Sequence, residues 1–200
     1  MGDTSWQLFV YRLPAEPSRV RVAVWRALRR LGALPLGQAI LALPDLGDLA
    51  AQLDEIEQRI DQEGGTSWRF PMSDLSPKMD TRLTAEWNAL RSHEYSEIVE
   101  ECQTKFKREI EFELFRGNLT AAESEEIEAD LDKIKAWLAR VVARDWFEAE
   151  GRTVAEAEVV SCEEMLNDFT EKVFLAESQE GPVTSAPREV PWGSATSSDD

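Results

Sequence analysis

Six arginines fall within the first thirty residues, at Arg12, Arg19, Arg21, Arg26, Arg29 and Arg30, and five of them lie in one stretch with helical apolar spacing. On a helix, Val20, Val24 and Leu28 form a stripe, and Arg19, Arg26, Arg29 and Arg30 fall within an arc of about 100° on the opposite side. Arg21, Trp25 and Arg29 stand at i, i+4 and i+8, which lets a guanidinium stack on the indole while others fork onto oxygens. The planar donors of arginine match phosphates and tetrahedral oxyanions two bonds at a time, so the chemistry of this face is anion binding. The competing reading pairs the same arginines with the chain's own carboxylates. The residues alone leave both open.

Other chemistry has weaker signals. His93, the single histidine, has Glu94 beside it and Glu97 one turn on, but no Glu-x-x-His pair accompanies it, and a solvated helix face accounts for the cluster. Cys102 and Cys162 sit in helical patterns without a second Cys or His at metal-ligand spacing, so they read as reduced, half-buried packing residues. No G-x-S-x-G, P-loop or G-x-G-x-x-G stretch occurs. Neither a metal nor a cofactor is expected. The acidic runs Glu94 to Glu101, Glu109 to Glu113 and Glu123 to Asp132 alternate with apolar positions, as the wet side of a helix does.

Length and charge set the frame for these residues. With 200 residues, 42% hydrophobic and 30% charged, the chain supports one substantial domain or two small ones, and disorder throughout is excluded. No run approaches the roughly 18 apolar residues of a membrane span, and Met1 to Trp6 is not a cationic leader, so the expectation is a cytoplasmic protein with no membrane partner. The net charge of −17 is unevenly spread. Residues 1–45 carry +3 and the remainder −20, a basic head on an acidic body.

The elements that position the arginines follow from pattern. Ser5 to Leu13 reads as a strand ended by Pro14, and Pro17 suits the first turn of the basic helix, which Gly32 stops. Ala33 to Leu43 reads as a hairpin about Gly37-Gln38. Asp45 is placed to cap a helix carrying Leu49, Leu53, Ile56 and Ile60, and Thr66 to Met72 is again extended. The order strand, helix, strand, strand, helix, strand is the ferredoxin-like plan, here over residues 5–75. One sheet face is then left for solvent, a partner or a later segment. Residues 79–175 read as an antiparallel three-helix segment packed on the first domain. Its first helix, or collinear pair, reaches Arg116, and Thr120 to Glu123 and Thr153 to Glu156 each spell a capping box. Residues 176–200 lack apolar periodicity and read as a disordered tail, with Trp192 an isolated aromatic within it.

The run Trp6-Gln7-Leu8-Phe9-Val10-Tyr11-Arg12-Leu13-Pro14-Ala15-Glu16-Pro17-Ser18-Arg19, followed by Val24 to Ala33, resembles the opening of ChrB-type chromate resistance proteins. The similarity continues through Leu43-Pro44-Asp45, Gly64-Gly65, His93-Glu94-Tyr95, Leu138-Ala139-Arg140 and Ala143 to Phe147, covering about residues 5–175. The resemblance implies a regulator of a chromate efflux operon that binds operator DNA and releases it when chromate is present. Longer members carry a further carboxy-terminal domain that nothing in this sequence matches, a departure that bears on chromate sensing more than on DNA binding.

Residues and resemblance meet in one expectation: an α+β protein acting as a non-enzymatic transcriptional regulator. Its operator DNA partner would be held by Arg19, Arg21, Arg26, Arg29 and Arg30, with Arg12 added where an oxyanion such as chromate is bound. A homodimer would double the basic face. The alternative is a helical protein–protein interaction module whose arginines are structural. An enzyme ranks third. A metal-dependent nuclease of this plan generally needs a carboxylate near the end of the first strand, where this chain has Tyr11-Arg12-Leu13.

Overall fold

The computed structural model describes residues 5–179. The first part alternates strand and helix as β1 (Trp6–Arg12), α1 (Ser18–Arg30), β2 (Leu34–Gly37), β3 (Ile40–Pro44), α2 (Gly47–Gln62) and β4 (Thr66–Met72). The four strands form one antiparallel sheet in the order β2-β3-β1-β4, with Phe9 opposite both Leu41 and Arg69. Because successive side chains alternate faces, Phe9, Tyr11, Leu41 and Leu43 point to one side. There they pack with Val24 and Leu28 of α1 and Leu49, Leu53 and Ile60 of α2.

The opposite face carries Trp6, Leu8 and Ala42, and a later segment covers part of it. Helix α3 (Pro77–Glu101) lays Leu83 and Trp87 over Trp6, Leu34 and Ala42. Trp6 donates its indole N–H to Asp80 at 2.9 Å, and its ring stacks on Phe147 at 5.5 Å. Trp87 stacks on Trp146 at 5.3 Å and donates to the Arg144 carbonyl. Farther along the same face Ile40, Trp68 and Phe70 remain exposed.

α3 continues through a π-helical turn, Cys102–Phe106, into α4 (Lys107–Arg116), and α5 (Ala121–Val142) and α6 (Arg152–Gln179) complete a helical bundle. Its core runs from Tyr95 and Ile98 through Phe106, Ile110, Ile127 and Leu131 to Phe169 and Val173. Cys102 and Cys162 are fully buried in this core rather than half-buried, because the π turn and α6 face each other there, and both are free thiols. A hydrogen bond shared with Cys102, together with burial, raises the Cys162 thiol above its ordinary range.

Four local expectations change. Asp45 does not cap α2, whose N-cap is Leu46 with no side-chain bond. Thr120 does accept from the Glu123 amide at 3.3 Å, but the Glu123 carboxylate takes the Asn118 amide at 3.0 Å. The second capping box lies inside α6, which already starts at Arg152, so Glu156 pairs with Arg152 instead. α6 runs to Gln179, past Leu175, and the tail reading from residue 180 on, with Trp192, lies outside the described residues.

Gly65 marks how closely α2 returns to the sheet. A Cβ there would stand 2.6 Å from the Arg12 carbonyl oxygen and 2.8 Å from both Ile60 and Leu13. Gly65→Ala is therefore expected to lower unfolding free energy by about 1–3 kcal/mol through overpacking. Urea denaturation with an unchanged slope checks it.

Candidate functional site

Helix α1 forms where the sequence places it. Val20, Val24 and Leu28 are its buried residues, and a helical turn of about 100° per residue leaves the arginines outward. Arg19, Arg21, Arg26, Arg29 and Arg30 are all exposed, and none forms an ion pair among the described residues. The surplus carboxylates of the later helices do not reach them. Of the aromatic trio it is Arg29 whose guanidinium lies over Trp25, 5.3 Å from the ring centroid. Arg12 stands apart. It is exposed at the end of β1, and strand alternation puts it on the sheet face opposite the one that carries Tyr11 and α1.

The C-terminal end of α1 is held by a group that the sequence did not single out. A helix leaves its last carbonyls without partners and its end partly negative, so cations are favoured there. Arg144 donates to the carbonyls of Arg29 and Arg30, both at 3.3 Å, and Arg91 donates to that of Gly32 at 3.4 Å. Between the two guanidiniums sits Glu94, 2.8 Å from Arg91 Nε and ion-paired with Arg144. Burial pulls the Arg91 guanidinium down from its ordinary value while Glu94 opposes that shift, and arginine stays charged. Gly32 makes the approach feasible. Its φ of +76° is left-handed, and a Cβ there would run into Arg91 and lie 3.1 Å from Arg144.

This clamp also forms one wall of a cleft of about 640 Å³ between α1, the β2–β3 hairpin and α3. Tyr11, Trp25 and Arg29 line it from one side and Arg91, His93, Glu94 and Glu97 from the other. His93 is exposed, with Nε2 3.6 Å from Glu97. Burial raises the Tyr11 phenol, so it remains a neutral hydroxyl donor. The signal for Arg91 was present in the sequence: it falls on the buried stripe of α3 between Trp87 and Tyr95, where an unpaired guanidinium is not tolerated. Its partner Arg144 lies more than fifty residues on, beyond the reach of spacing.

Fold and site define an α+β protein whose first helix offers a basic face with no carboxylate partner among the described residues and is locked at one end by an acidic helical body. The family model describing the N-terminal region of protein ChrB matches residues 21–180, and the chain belongs to that family. It is 34% identical over 97 residues to Protein ChrB of Cupriavidus metallidurans, a match that covers 48% of this chain and 29% of that protein. The chain thus corresponds to under a third of that relative's length. No solved structure matches. Among the described residues no helix is long and apolar enough to cross a membrane, and no cluster of three or more metal-ligating side chains occurs.

Removing Glu94 would leave two nearly buried guanidiniums, Arg91 and Arg144, facing each other without a counter-charge. Glu94→Ala is expected to lower unfolding free energy by about 3 kcal/mol in chemical denaturation, whereas Arg91→Met, Glu94→Leu and Arg144→Met combined lose less than the single change.

Proposed function

We propose that this protein is a non-enzymatic transcriptional regulator related to chromate resistance, which holds operator DNA against the arginine face of α1. The observation that carries the reading is that five guanidiniums on one helix stay exposed, with no carboxylate partner among the described residues, in a chain of net charge −17. A helix that folded only for packing could satisfy those groups with the abundant carboxylates. Phosphate contacts by Arg19, Arg26, Arg29 and Arg30 would release condensed counterions and give an affinity that falls steeply with salt. The strand order β2-β3-β1-β4 with both crossover helices on one face supports the ferredoxin-like plan for the head. Membership of the ChrB family supports the link to chromate. A tetrahedral oxyanion such as chromate would compete with phosphate for the helix guanidiniums, with Arg12 left out because it lies on the other sheet face. Pairing of two copies would double the basic surface presented to a two-fold operator. The cytoplasm is the compartment in which such a regulator acts.

One observation favours a second reading, a helical protein–protein interaction module. On the bundle, Phe115 is 89% exposed and Phe174 68%, more apolar surface than one isolated helix pair needs to show.

A mobility shift against the DNA upstream of the chain's own gene separates the two. Retention is expected at low salt and loss as salt rises, with Arg26→Glu combined with Arg30→Glu abolishing it and Arg26→Gln combined with Arg30→Gln reducing the slope of log affinity against log salt by about 2. Absence of retention at every salt concentration favours the interaction module.

A further inference from the structure

The cleft beside α1 has features that phosphate binding on the outer helix face does not use. Its volume of about 640 Å³ lies in the range that encloses small organic molecules, and a lone tetrahedral oxyanion would fill only a fraction of it. Its walls are mixed. Trp25, Leu41 and Leu90 supply apolar surface, Tyr11 supplies a hydroxyl, and Arg29 supplies a cation with no carboxylate partner among the described residues. Of the acidic groups on the other wall, Glu94 is engaged by Arg91 and Arg144, and Glu97 stands half exposed with His93 Nε2 3.6 Å away. Arg91, only 4% exposed, is already taken up by Glu94, with its Nε 2.8 Å from Oε2, so Arg29 is the guanidinium of these walls without a carboxylate among the described residues.

We infer that this cleft is a binding site for a small organic anion with a flat apolar body. The body lies along Trp25 and Leu90, and the anionic group meets Arg29, with Tyr11 as a second donor. Arg29 belongs both to the cleft and to the basic face, so a ligand seated there withdraws one guanidinium from phosphate. That consequence rests on the DNA reading; the site itself does not.

Calorimetry on the full chain without DNA tests the site alone, using 2-naphthoate as the probe, 2-naphthylmethanol as its neutral counterpart and sulfate as the bare oxyanion. Naphthoate is expected to bind at least tenfold more tightly than either. Arg29→Gln and Trp25→Ala, both at exposed positions, should each weaken naphthoate at least tenfold with an unchanged circular dichroism spectrum, while Arg26→Gln on the same helix leaves it unaltered. Sulfate or the alcohol binding as well as naphthoate, no binding of naphthoate, or equal weakening by Arg26→Gln would overturn the inference.

Discussion

The grip of Arg91, Glu94 and Arg144 on the end of α1 is the interaction on which the arrangement depends. Three charges in a largely water-free position are costly to assemble, and such groups are retained only where hydrogen bonds and opposite charge repay the desolvation. Here both guanidiniums also satisfy carbonyls that the helix could not satisfy for itself, at the end where its dipole welcomes positive charge. The result is directional. Apolar contacts with the sheet fix which side of α1 is buried, and the clamp adds a polar tie from its last turn to the helical bundle.

The aromatic layer completes that attachment. Trp6, Trp87, Trp146 and Phe147 meet edge to face or stacked, and each indole N–H of Trp6 and Trp87 finds an acceptor. Two of these rings come from the short connection between α5 and α6, the same connection that supplies Arg144 and Asp145. Asp145 in turn accepts from the Tyr95 hydroxyl at 2.9 Å and from the Ala149 amide at 2.9 Å. One loop therefore carries packing, hydrogen bonding and charge to the sheet, to α3 and to α1 at once.

Much of this was legible in local pattern and little of it in long-range pairing. The strands, the basic helix and the glycine stops followed from periodicity and backbone preference, and β4 spans the residues that Thr66 to Met72 indicated. The exposed arginine face could be read because a buried apolar stripe dictates what the opposite side does. What covers the free sheet face could not, since Trp87 and Trp146 are fifty-nine positions apart and nothing in either neighbourhood names the other. The capping box at Thr153 failed for a related reason: helix α6 begins two residues earlier than that cap requires, where Ala155 donates to the Gly151 carbonyl and Arg152 already holds Glu156. The cleft was invisible because its walls come from β1, α1, the β2–β3 hairpin and α3, segments far apart in the sequence.

The acidic body is compatible with the cationic face of α1 because charge acts locally. Helices α3 and α4 with the π turn between them span forty residues, a length of about 60 Å at 1.5 Å per residue. At physiological ionic strength the screening length is about 8 Å, so carboxylates along most of that rod have little influence on the potential at Arg19 or Arg26. Their effect falls instead on any polyanion approaching the bundle, which is repelled, and the approach that remains is from the side of α1. A net charge of −17 then restricts orientation without cancelling the basic face. The Glu94 carboxylate beside the end of α1 is already paired with two arginines, so it does not cancel the positive charge of Arg29 and Arg30 there.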